Sequence, residues 1–207
     1  MIDRAGYPFI GGTAALALAA ALTVGVAGAV PLFLLAGFFA FFFRDPDRDS
    51  PQDPRLVLSP ADGRVLVAGP ADPGAAPPGD WKQISIFLSP MDVHVNRSPV
   101  SGRVVRVDFR RGKYLPAYHR DAASTNERSE VWVDHHGLTV VFRQIVGILA
   151  RRVVCRVAPG AVLRAGQRFG IMKFGSRMDV YLPPSAELKV RVGDKVVGGV
   201  TVMAVLP

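Results

Sequence analysis

The chain has 207 residues, which is enough for one domain with a hydrophobic core and a smaller appended segment. Its 25 Lys and Arg against 17 Asp and Glu give a net charge of +8, which suits an anionic membrane or a nucleic acid, and the 49% hydrophobic content favours the membrane. The single cysteine, Cys155, excludes an internal disulfide, and its apolar neighbours predict a buried thiol.

The N-terminal segment is apolar, because residues 5–43 carry no charged side chain. A membrane-spanning helix needs about 20 apolar residues, so this run is long enough for one crossing or for two short helices. The apolar core of a cleaved signal peptide is shorter, about 7–15 residues. Gly25 and Pro31 near the middle predict a turn. We therefore expect a helical membrane anchor over residues 1–43, with a hairpin favoured over a single span.

The charges beside this segment predict its orientation. Arg4 precedes the apolar run, and Arg44 and Arg48 follow it. Because basic residues favour the cytoplasmic side, both ends of the segment are expected there. The sequence therefore predicts a protein of the inner cell membrane whose remaining domain is cytoplasmic.

The rest of the chain has the pattern of a β protein. Residues 44–55 are rich in charge and proline and predict a linker. Residues 56–207 contain short β-branched or alternating runs separated by Gly, Pro and Asp, which predict a mainly β, compact sandwich or barrel-like domain. Residues 114–125 form an irregular, partly helical interruption. The predicted strands lie at 63–68, 83–88, 102–109, 131–133, 138–142, 152–157, 178–182, 188–192 and 196–205.

Four polar segments interrupt this β pattern. Taken singly, each has an ordinary structural interpretation: Asp62 followed by Gly63 is typical of a turn, and a lone His94 on a strand is usually structural. The segments are residues 58–64 (LSPADGR), 87–99 (FLSPMDVHVNRSP), 126–128 (NER) and 170–177 (GIMKFGSR).

The histidines do not have the spacing of a metal site. His119 stands apart from the others, and His135 and His136 are adjacent, so their side chains would point to opposite faces of a strand. We expect no bound metal.

The four segments, in this order behind an apolar N-terminus, resemble the phosphatidylserine decarboxylase family in its short bacterial and archaeal form. The most specific parts are residues 91–97 (MDVHVNR), 126–128 (NER) and 174–180 (FGSRMDV), and the resemblance runs from Phe43 to the C-terminus. It implies a carboxy-lyase that converts phosphatidylserine, drawn from an anionic membrane, to phosphatidylethanolamine and CO₂.

The resemblance also implies a cofactor made from the chain itself. Decarboxylation of an amino acid leaves an electron pair that ordinary side chains cannot delocalise, so an electron sink is required. The family produces a pyruvoyl group by self-cleavage at a Gly-Ser bond, which here is Gly175–Ser176. The products would be a β chain, 1–175, and an α chain, 176–207, that remain together as a heterodimer. Further assembly into homo-oligomers stays open.

Self-cleavage requires a base, because a serine hydroxyl is a weak nucleophile. The resemblance assigns Ser176 as the nucleophile and Asp62 as the aspartate of a triad-like set. Longer members of the family carry a second histidine where this chain has Arg97, so either His94 is the base, or Asp62 and local strain suffice. His94 is also the candidate acid that protonates the product carbon.

Other residues are candidates for substrate binding. Arg97 would hold the lipid phosphate or the substrate carboxylate, although a structural role facing solvent is an equal alternative. The resemblance adds Asn126, Glu127 and Arg128 to the substrate-binding candidates.

Two other functions compete with the decarboxylase. Residues 170–173 resemble the hairpin of a biotinyl or lipoyl carrier, a membrane-tethered binding module without catalysis, in which Lys173 would be modified. A nucleic-acid-binding barrel would also use the positive charge, but the basic residues are scattered and no strand interleaves them with aromatic residues. We expect no nucleic-acid partner.

Overall fold

The computed structural model describes residues 1–119, 121–148, 153–173 and 175–207. The chain forms two compact units, Met1–Asp47 and Arg48–Pro207. Three residues of the predicted segments, Arg120, Arg152 and Phe174, lie outside the described residues.

The N-terminal unit contains two helices, α1 (Tyr7–Thr23) and α2 (Val26–Phe42). Gly25, with φ +94°, forms the turn between them. The ring of Phe9 lies 5.4 Å from that of Phe39, which brings the start of α1 to the end of α2 and makes the pair antiparallel.

The composition of these helices suits a lipid environment. The helical stretch Arg4–Thr23 is long and apolar enough to cross a membrane, as far as length and composition decide, and α2 is a shorter apolar helix. Many of their large side chains are exposed, among them Leu16, Leu18, Leu22 and Leu34.

The second unit is built from strands, so the prediction of a mainly β domain is confirmed. Its main feature is a curled, half-barrel sheet of eight strands in the order β13-β2-β3-β11-β7-β6-β5-β9, and two three-stranded sheets, β4-β10-β8 and β1-β14-β12, accompany it. The strands are β1 (Leu56–Leu58), β2 (Gly63–Pro70), β3 (Lys82–Leu88), β4 (Val95–Arg97), β5 (Gly102–Arg110), β6 (Arg128–His135), β7 (Leu138–Val146), β8 (Val153–Cys155), β9 (Val162–Leu163), β10 (Arg168–Met172), β11 (Ser176–Leu182), β12 (Glu187–Leu188), β13 (Lys195–Val196) and β14 (Val202–Val205).

Strand β11 lies between β3 and β7, and its residues alternate between the two faces of the sheet. Met178, Val180 and Leu182 belong to the hydrophobic core, so we call their side the inner face. Arg177 and Asp179 lie on the other side, the outer face. Both faces are buried along the whole strand.

The structure differs from the predicted strands where polar residues or short strands are involved. Strands β1, β4 and β9 were not predicted, because two or three residues are too few for a periodic pattern, and because β4 buries the polar Asn96 and Arg97. The five-residue strand β10 was not predicted either, and Gly170 interrupts its apolar run. The single strand predicted at 196–205 is two strands, since Val197 accepts turn hydrogen bonds from Val200 and Thr201.

Two smaller predictions also need correction. Of the segment 114–125, only α3 (Ala122–Thr125) is an α-helix within the described residues. Cys155, predicted to be buried, is half-buried, because β8 is an edge strand of its sheet.

Candidate active site

Ser176 begins β11 in the middle of the large sheet, with Leu88 and Val146 as its cross-strand partners. Its side chain is fully buried, and its Oγ has no hydrogen-bond partner among the described residues. A buried polar group without a partner costs about 1–3 kcal/mol. An exception of this kind in a folded protein needs an explanation, and a reactive hydroxyl supplies one.

Gly175 precedes this serine with φ +70°, a left-handed conformation that residues with a Cβ avoid. Nothing lies within 4 Å of the position that a Cβ would take. The backbone conformation, rather than a lack of space, therefore requires glycine on the N-terminal side of the Gly175–Ser176 peptide bond.

His94 lies directly before β4 and is fully buried. Its Nδ1 is 2.9 Å from the carbonyl oxygen of Asp92, which can only accept a hydrogen bond, so Nδ1 carries the proton. Its Nε2 is 3.4 Å from the backbone nitrogen of Gly175, which can only donate. This tautomer leaves the basic lone pair of the imidazole facing the residue next to Ser176.

Gly147, to which the sequence analysis gave no role, packs against the same peptide. It follows β7, and a Cβ built on it would lie 2.4 Å from the carbonyl oxygen of Gly175. The missing side chain therefore makes room for the carbonyl group that Ser176 would attack. Nothing in the local sequence indicates this contact, because it joins residues that are far apart in the chain.

Asn126 is buried and connects the segment before β6 to the strand beside Ser176. Its Oδ1 accepts a hydrogen bond from the backbone N–H of Leu115 at 3.0 Å, and its Nδ2 donates to the carbonyl oxygens of Leu115 and Val146, both at 2.8 Å. Because Val146 pairs with Ser176, these bonds hold the neighbouring backbone in place. This pattern suits a positioning residue.

Glu127 and Arg128, the other two residues of that motif, also make local contacts. Glu127 accepts a hydrogen bond from the Tyr114 hydroxyl at 3.1 Å. Arg128 donates from Nη1 to the carbonyl oxygen of Ser124 at 2.7 Å. Arg128 on β6 and Arg177 on β11 are both cross-strand partners of Ile145 on β7. The side chain of Arg128 therefore lies on the outer face, whereas that of Ser176 lies on the inner face.

Asp62 and Arg97 belong to a separate cluster. The carboxylate of Asp62 is held by the guanidinium of Arg48, at 2.6 and 2.8 Å, and by the backbone N–H of Gly198 at 2.8 Å. None of its hydrogen bonds within the described residues goes to His94. Arg97 donates from Nη1 to the carbonyl oxygen of Gly166 at 3.1 Å. The structure therefore brings His94, Gly175 and Ser176 together, and it places Asp62 with Arg48.

The outer face beside Ser176 carries a paired polar layer. Nε of Arg177 lies 2.6 Å from the fully buried carboxylate of Asp179. Burial lowers the pKa of Arg177, but the adjacent carboxylate outweighs burial, so the pKa is raised. Burial and the charge of Asp179 raise the pKa of Tyr181. Arg177 is therefore charged and Tyr181 neutral at physiological pH.

The described part of the chain contains no group of three or more His, Cys, Asp or Glu side chains that could hold a metal ion.

Known proteins are similar to this chain over most of its length. The sequence model of the phosphatidylserine decarboxylase family matches residues 35–204. A protein of Aromatoleum aromaticum named phosphatidylserine decarboxylase proenzyme is 44% identical, with 100% of this chain and 96% of that protein aligned. A protein of the same name from Solibacter usitatus is 43% identical, with 92% and 91% aligned.

The chain belongs to the phosphatidylserine decarboxylase family. The resemblance read from the motifs at 91–97, 126–128 and 174–180 is thereby confirmed, as is the prediction of an enzyme. Neither the carrier nor the nucleic-acid alternative finds support, because the family model covers Lys173 and nearly all of the β unit.

Proposed function

We propose that this member of the phosphatidylserine decarboxylase family converts phosphatidylserine to phosphatidylethanolamine and CO₂ with a pyruvoyl group made from its own Ser176. One observation carries the proposal. A buried serine hydroxyl, which has no hydrogen-bond partner among the described residues, follows a left-handed glycine whose N–H faces the unprotonated Nε2 of His94. The word proenzyme in the relatives' names agrees with a processed chain.

The first step is the attack of Ser176 on the preceding carbonyl. Nε2 of His94 takes the hydroxyl proton, Oγ bonds to the carbonyl carbon of Gly175, and the peptide C–N bond breaks. The released nitrogen takes the proton back, so an ester replaces the amide with no net change in atoms. A positioned base contributes about 10²–10⁴ in rate, and the glycines at 175 and 147 keep the carbonyl carbon accessible.

The second step breaks the chain. Removal of the α-proton of residue 176 expels the ester oxygen from its Cβ and releases Gly175 as a carboxylate. Water then replaces the nitrogen of residue 176, which leaves as ammonia, and a ketone remains at the new N-terminus. Residues 1–175 and 176–207 are the two products.

The local residues fit this group, since the backbone and Cβ carbons of Ser176 supply its carbon atoms and Gly175 leaves open space beside it. The pyruvoyl ketone would act as the electron sink for the pair of electrons left when CO₂ departs. His94 remains next to residue 176 after cleavage. Its Nε2 can then hold the proton that the product carbon receives.

The two products are expected to stay together without a covalent link. β11 hydrogen-bonds on one side to β3 and on the other to β7, both of which belong to 1–175. β13 pairs with β2, and β14 pairs with β1. Separating the products would expose a central strand of the sheet and its core side chains, so we propose a stable heterodimer.

Asp62 is proposed to act on self-cleavage as a positioning residue. Its carboxylate joins Arg48 to the Gly198 turn, and the adjacent Gly199 packs against Arg97, whose Cδ lies 2.8 Å from the position of an added Cβ. If Asp62 works in this way, Arg48→Met slows processing as much as Asp62→Asn does. Slow processing in Asp62→Asn alone would instead support a direct role in proton transfer.

We also propose that α1 and α2 insert as a hairpin in the inner cell membrane, with the β unit in the cytoplasm. Their exposed apolar side chains and the flanking Arg4 and Arg44 support this arrangement. Carbonate washing should leave the protein in the membrane fraction. Protease digestion of the β unit from outside intact cells would contradict the orientation.

The central test compares two buried serines whose hydroxyls have no hydrogen-bond partner within the described ranges of the chain. Ser129 on β6 is the control, because its Oγ is buried like that of Ser176 but no left-handed glycine precedes it. Ser176→Ala should remain a single chain and release no CO₂ from carboxyl-labelled phosphatidylserine. Ser129→Ala should yield both products and remain active.

Mass spectrometry of the wild-type chain should detect residues 176–207 with a pyruvoyl N-terminus. An intact wild-type chain that decarboxylates at the normal rate would overturn the self-cleavage mechanism and leave the decarboxylase assignment standing.

A further inference from the structure

A cavity of about 290 Å³ lies on the outer face of the sheet, away from Ser176. Among the described residues, four arginine side chains and one carboxylate, that of Glu130, line it. The rest of its wall is Ser124 and the loop 74–78, which contains only Gly, Ala and Pro. The arginines of this arginine pocket are Arg106, Arg110, Arg128 and Arg143.

Two of these arginines are neutralised by carboxylates. Arg143 pairs with Glu130 and also donates to the Tyr181 hydroxyl at 3.1 Å. Arg106 lies 2.7 Å from the carboxylate of Asp108 and stacks on the ring of Trp132, with 4.3 Å between the guanidinium carbon and the ring centre. The single glutamate in the pocket is therefore already engaged.

The other two arginines are direct cross-strand neighbours. Arg110 on β5 is directly opposite Arg128 on β6, an arrangement that destabilises a sheet when the charges are alike. The side chain of Arg110 is exposed and makes no hydrogen bond or ion pair with the described residues. Arg128 donates from Nη1 to backbone oxygens, while its Nε is buried and has no partner within the described part of the chain.

The electrostatic environment of Arg128 also favours a bound anion. Burial lowers its pKa, and repulsion from Arg143 and Arg110 lowers it further, more than Glu130 raises it. An anion bound between Arg110 and Arg128 would relieve this repulsion and supply an acceptor for Nε. Phosphate matches the planar guanidinium group particularly well, because it can accept two parallel hydrogen bonds.

The chain next to the pocket has the composition of a membrane-facing surface. Tyr114 is exposed, and the exposed Arg111 and Lys113 lie just before it in the chain. Aromatic and basic side chains together are typical of protein segments at the surface of an anionic bilayer. A lipid headgroup is therefore a better match for this pocket than a soluble phosphate compound.

We propose that Arg110 and Arg128 bind the phosphate group of an anionic phospholipid and so dock the β unit on the bilayer. The site is separate from that of the reacting lipid, because Arg128 and Ser176 lie on opposite faces of the sheet. The docking proposal depends on the proposed function only in assuming that the substrate is a membrane lipid.

The experiment uses the processed full chain in non-ionic detergent micelles, titrated with phosphatidylglycerol. This lipid carries a phosphate but no carboxylate, so its binding does not depend on decarboxylation, and failure of one proposal is distinguishable from failure of the other. Tryptophan fluorescence is the readout, because Trp132 hydrogen-bonds to Glu130 of the pocket at 2.7 Å and the other tryptophan, Trp81, packs on its ring.

The test variant is Arg110→Gln/Arg128→Gln, and the single variants accompany it. Each basic residue near an anionic surface contributes about fivefold in affinity, so each substitution should weaken phosphatidylglycerol binding about fivefold. Arg103→Gln is the matched control. It removes an exposed arginine of the same strand that donates to the carbonyl oxygen of Gly160 outside the pocket, and its binding should equal that of the wild type.

A second arm replaces the lipid by inorganic phosphate at the same concentration. A weaker response to phosphate than to phosphatidylglycerol supports the lipid assignment. An equal response that needs the two arginines would overturn it in favour of a soluble-phosphate site. Equal phosphatidylglycerol binding by the wild type and the double variant would overturn the site itself. Thermal melting of each variant checks that it is folded.

Discussion

Ser176 and Arg177 are consecutive residues on the same strand, yet their side chains lie in opposite environments. On the inner face, the hydroxyl of Ser176 is buried without a partner, and its neighbour is an imidazole held in one tautomer. On the outer face, Arg177 is ion-paired with Asp179 and also donates to Ser85 at 2.9 Å.

On the proposed mechanism, the hydroxyl that reacts is left without competing hydrogen bonds, whereas a buried charge that only holds the sheet together must be paired. Substitutions beside Ser176 on the inner face should therefore change the rate of processing, and those on the outer face should change stability.

The largest effect is expected from His94→Ala on the inner face. Loss of the base should slow cleavage about 10²–10⁴-fold, and any cleaved fraction should decarboxylate poorly. The rate is followed on denaturing gels after synthesis. His135→Ala is the control, since His135 is also buried but bonds to the carbonyl oxygens of Ser101 and Pro54; it should lose stability and still be processed.

A double variant tests whether position 97 can replace position 94. We expect His94→Ala/Arg97→His to remain unprocessed, because the Arg97 side chain is directed to Gly166. Rescue of cleavage without rescue of decarboxylation would show that the two roles are separable and that Arg97 occupies the place of a base. Normal processing of His94→Ala alone would remove the histidine from the mechanism.

The next largest effect is expected from Asp179→Asn on the outer face. This change leaves the buried guanidinium of Arg177 without its charge partner, and breaking a buried ion pair costs about 3–5 kcal/mol. Denaturant unfolding of the processed enzyme should detect this loss of stability. The folded fraction should still be cleaved at the wild-type rate; a slow rate there would contradict the separation of the two faces.

Two glycines on the inner face sharpen the comparison, because each is required for a different reason. Gly147→Ala places a methyl group against the Gly175 carbonyl, and overpacking of about 1–3 kcal/mol should slow cleavage roughly 5- to 150-fold. Gly175→Ala has open space and meets only the strain of φ +70°, about 1–2 kcal/mol, so its effect should be smaller.

The control for backbone strain is Gly137→Ala in the turn between β6 and β7. Gly137 has φ +85° and open space, like Gly175, but lies away from the site. Its substitution should lower stability and leave the cleavage rate unchanged. If Gly147→Ala were processed as fast as the wild type, the carbonyl contact would have no part in the reaction.

The smallest effect is expected from Asp108→Asn, at the exposed edge of the outer face. The carboxylate lies 2.7 Å from Nε of Arg106, but both side chains are partly exposed to solvent. Solvent-exposed ion pairs contribute about 0–1 kcal/mol, so thermal melting should change little. A loss as large as that of Asp179→Asn would show that burial does not set the energy of pairs on this face.

The sequence by itself determined the features that reside in local patterns. The alternation and the turn residues specified a mainly β unit, the charge-free run specified an apolar helical segment, and the ordered motifs singled out His94, Gly175, Ser176 and Asp62, of which the structure brings the first three together. These features can be recognised in the sequence because each depends on residue types at short spacing along the chain.

Only the tertiary structure decided which distant residues meet. Gly147 reaches the Gly175 carbonyl, Asp62 pairs with Arg48, and Arg110 opposes Arg128. Each of these contacts depends on strand register, and a shift of one residue would turn every side chain of a strand to the other face. Register is set by packing across the whole sheet, which is why local spacing could not reveal these contacts.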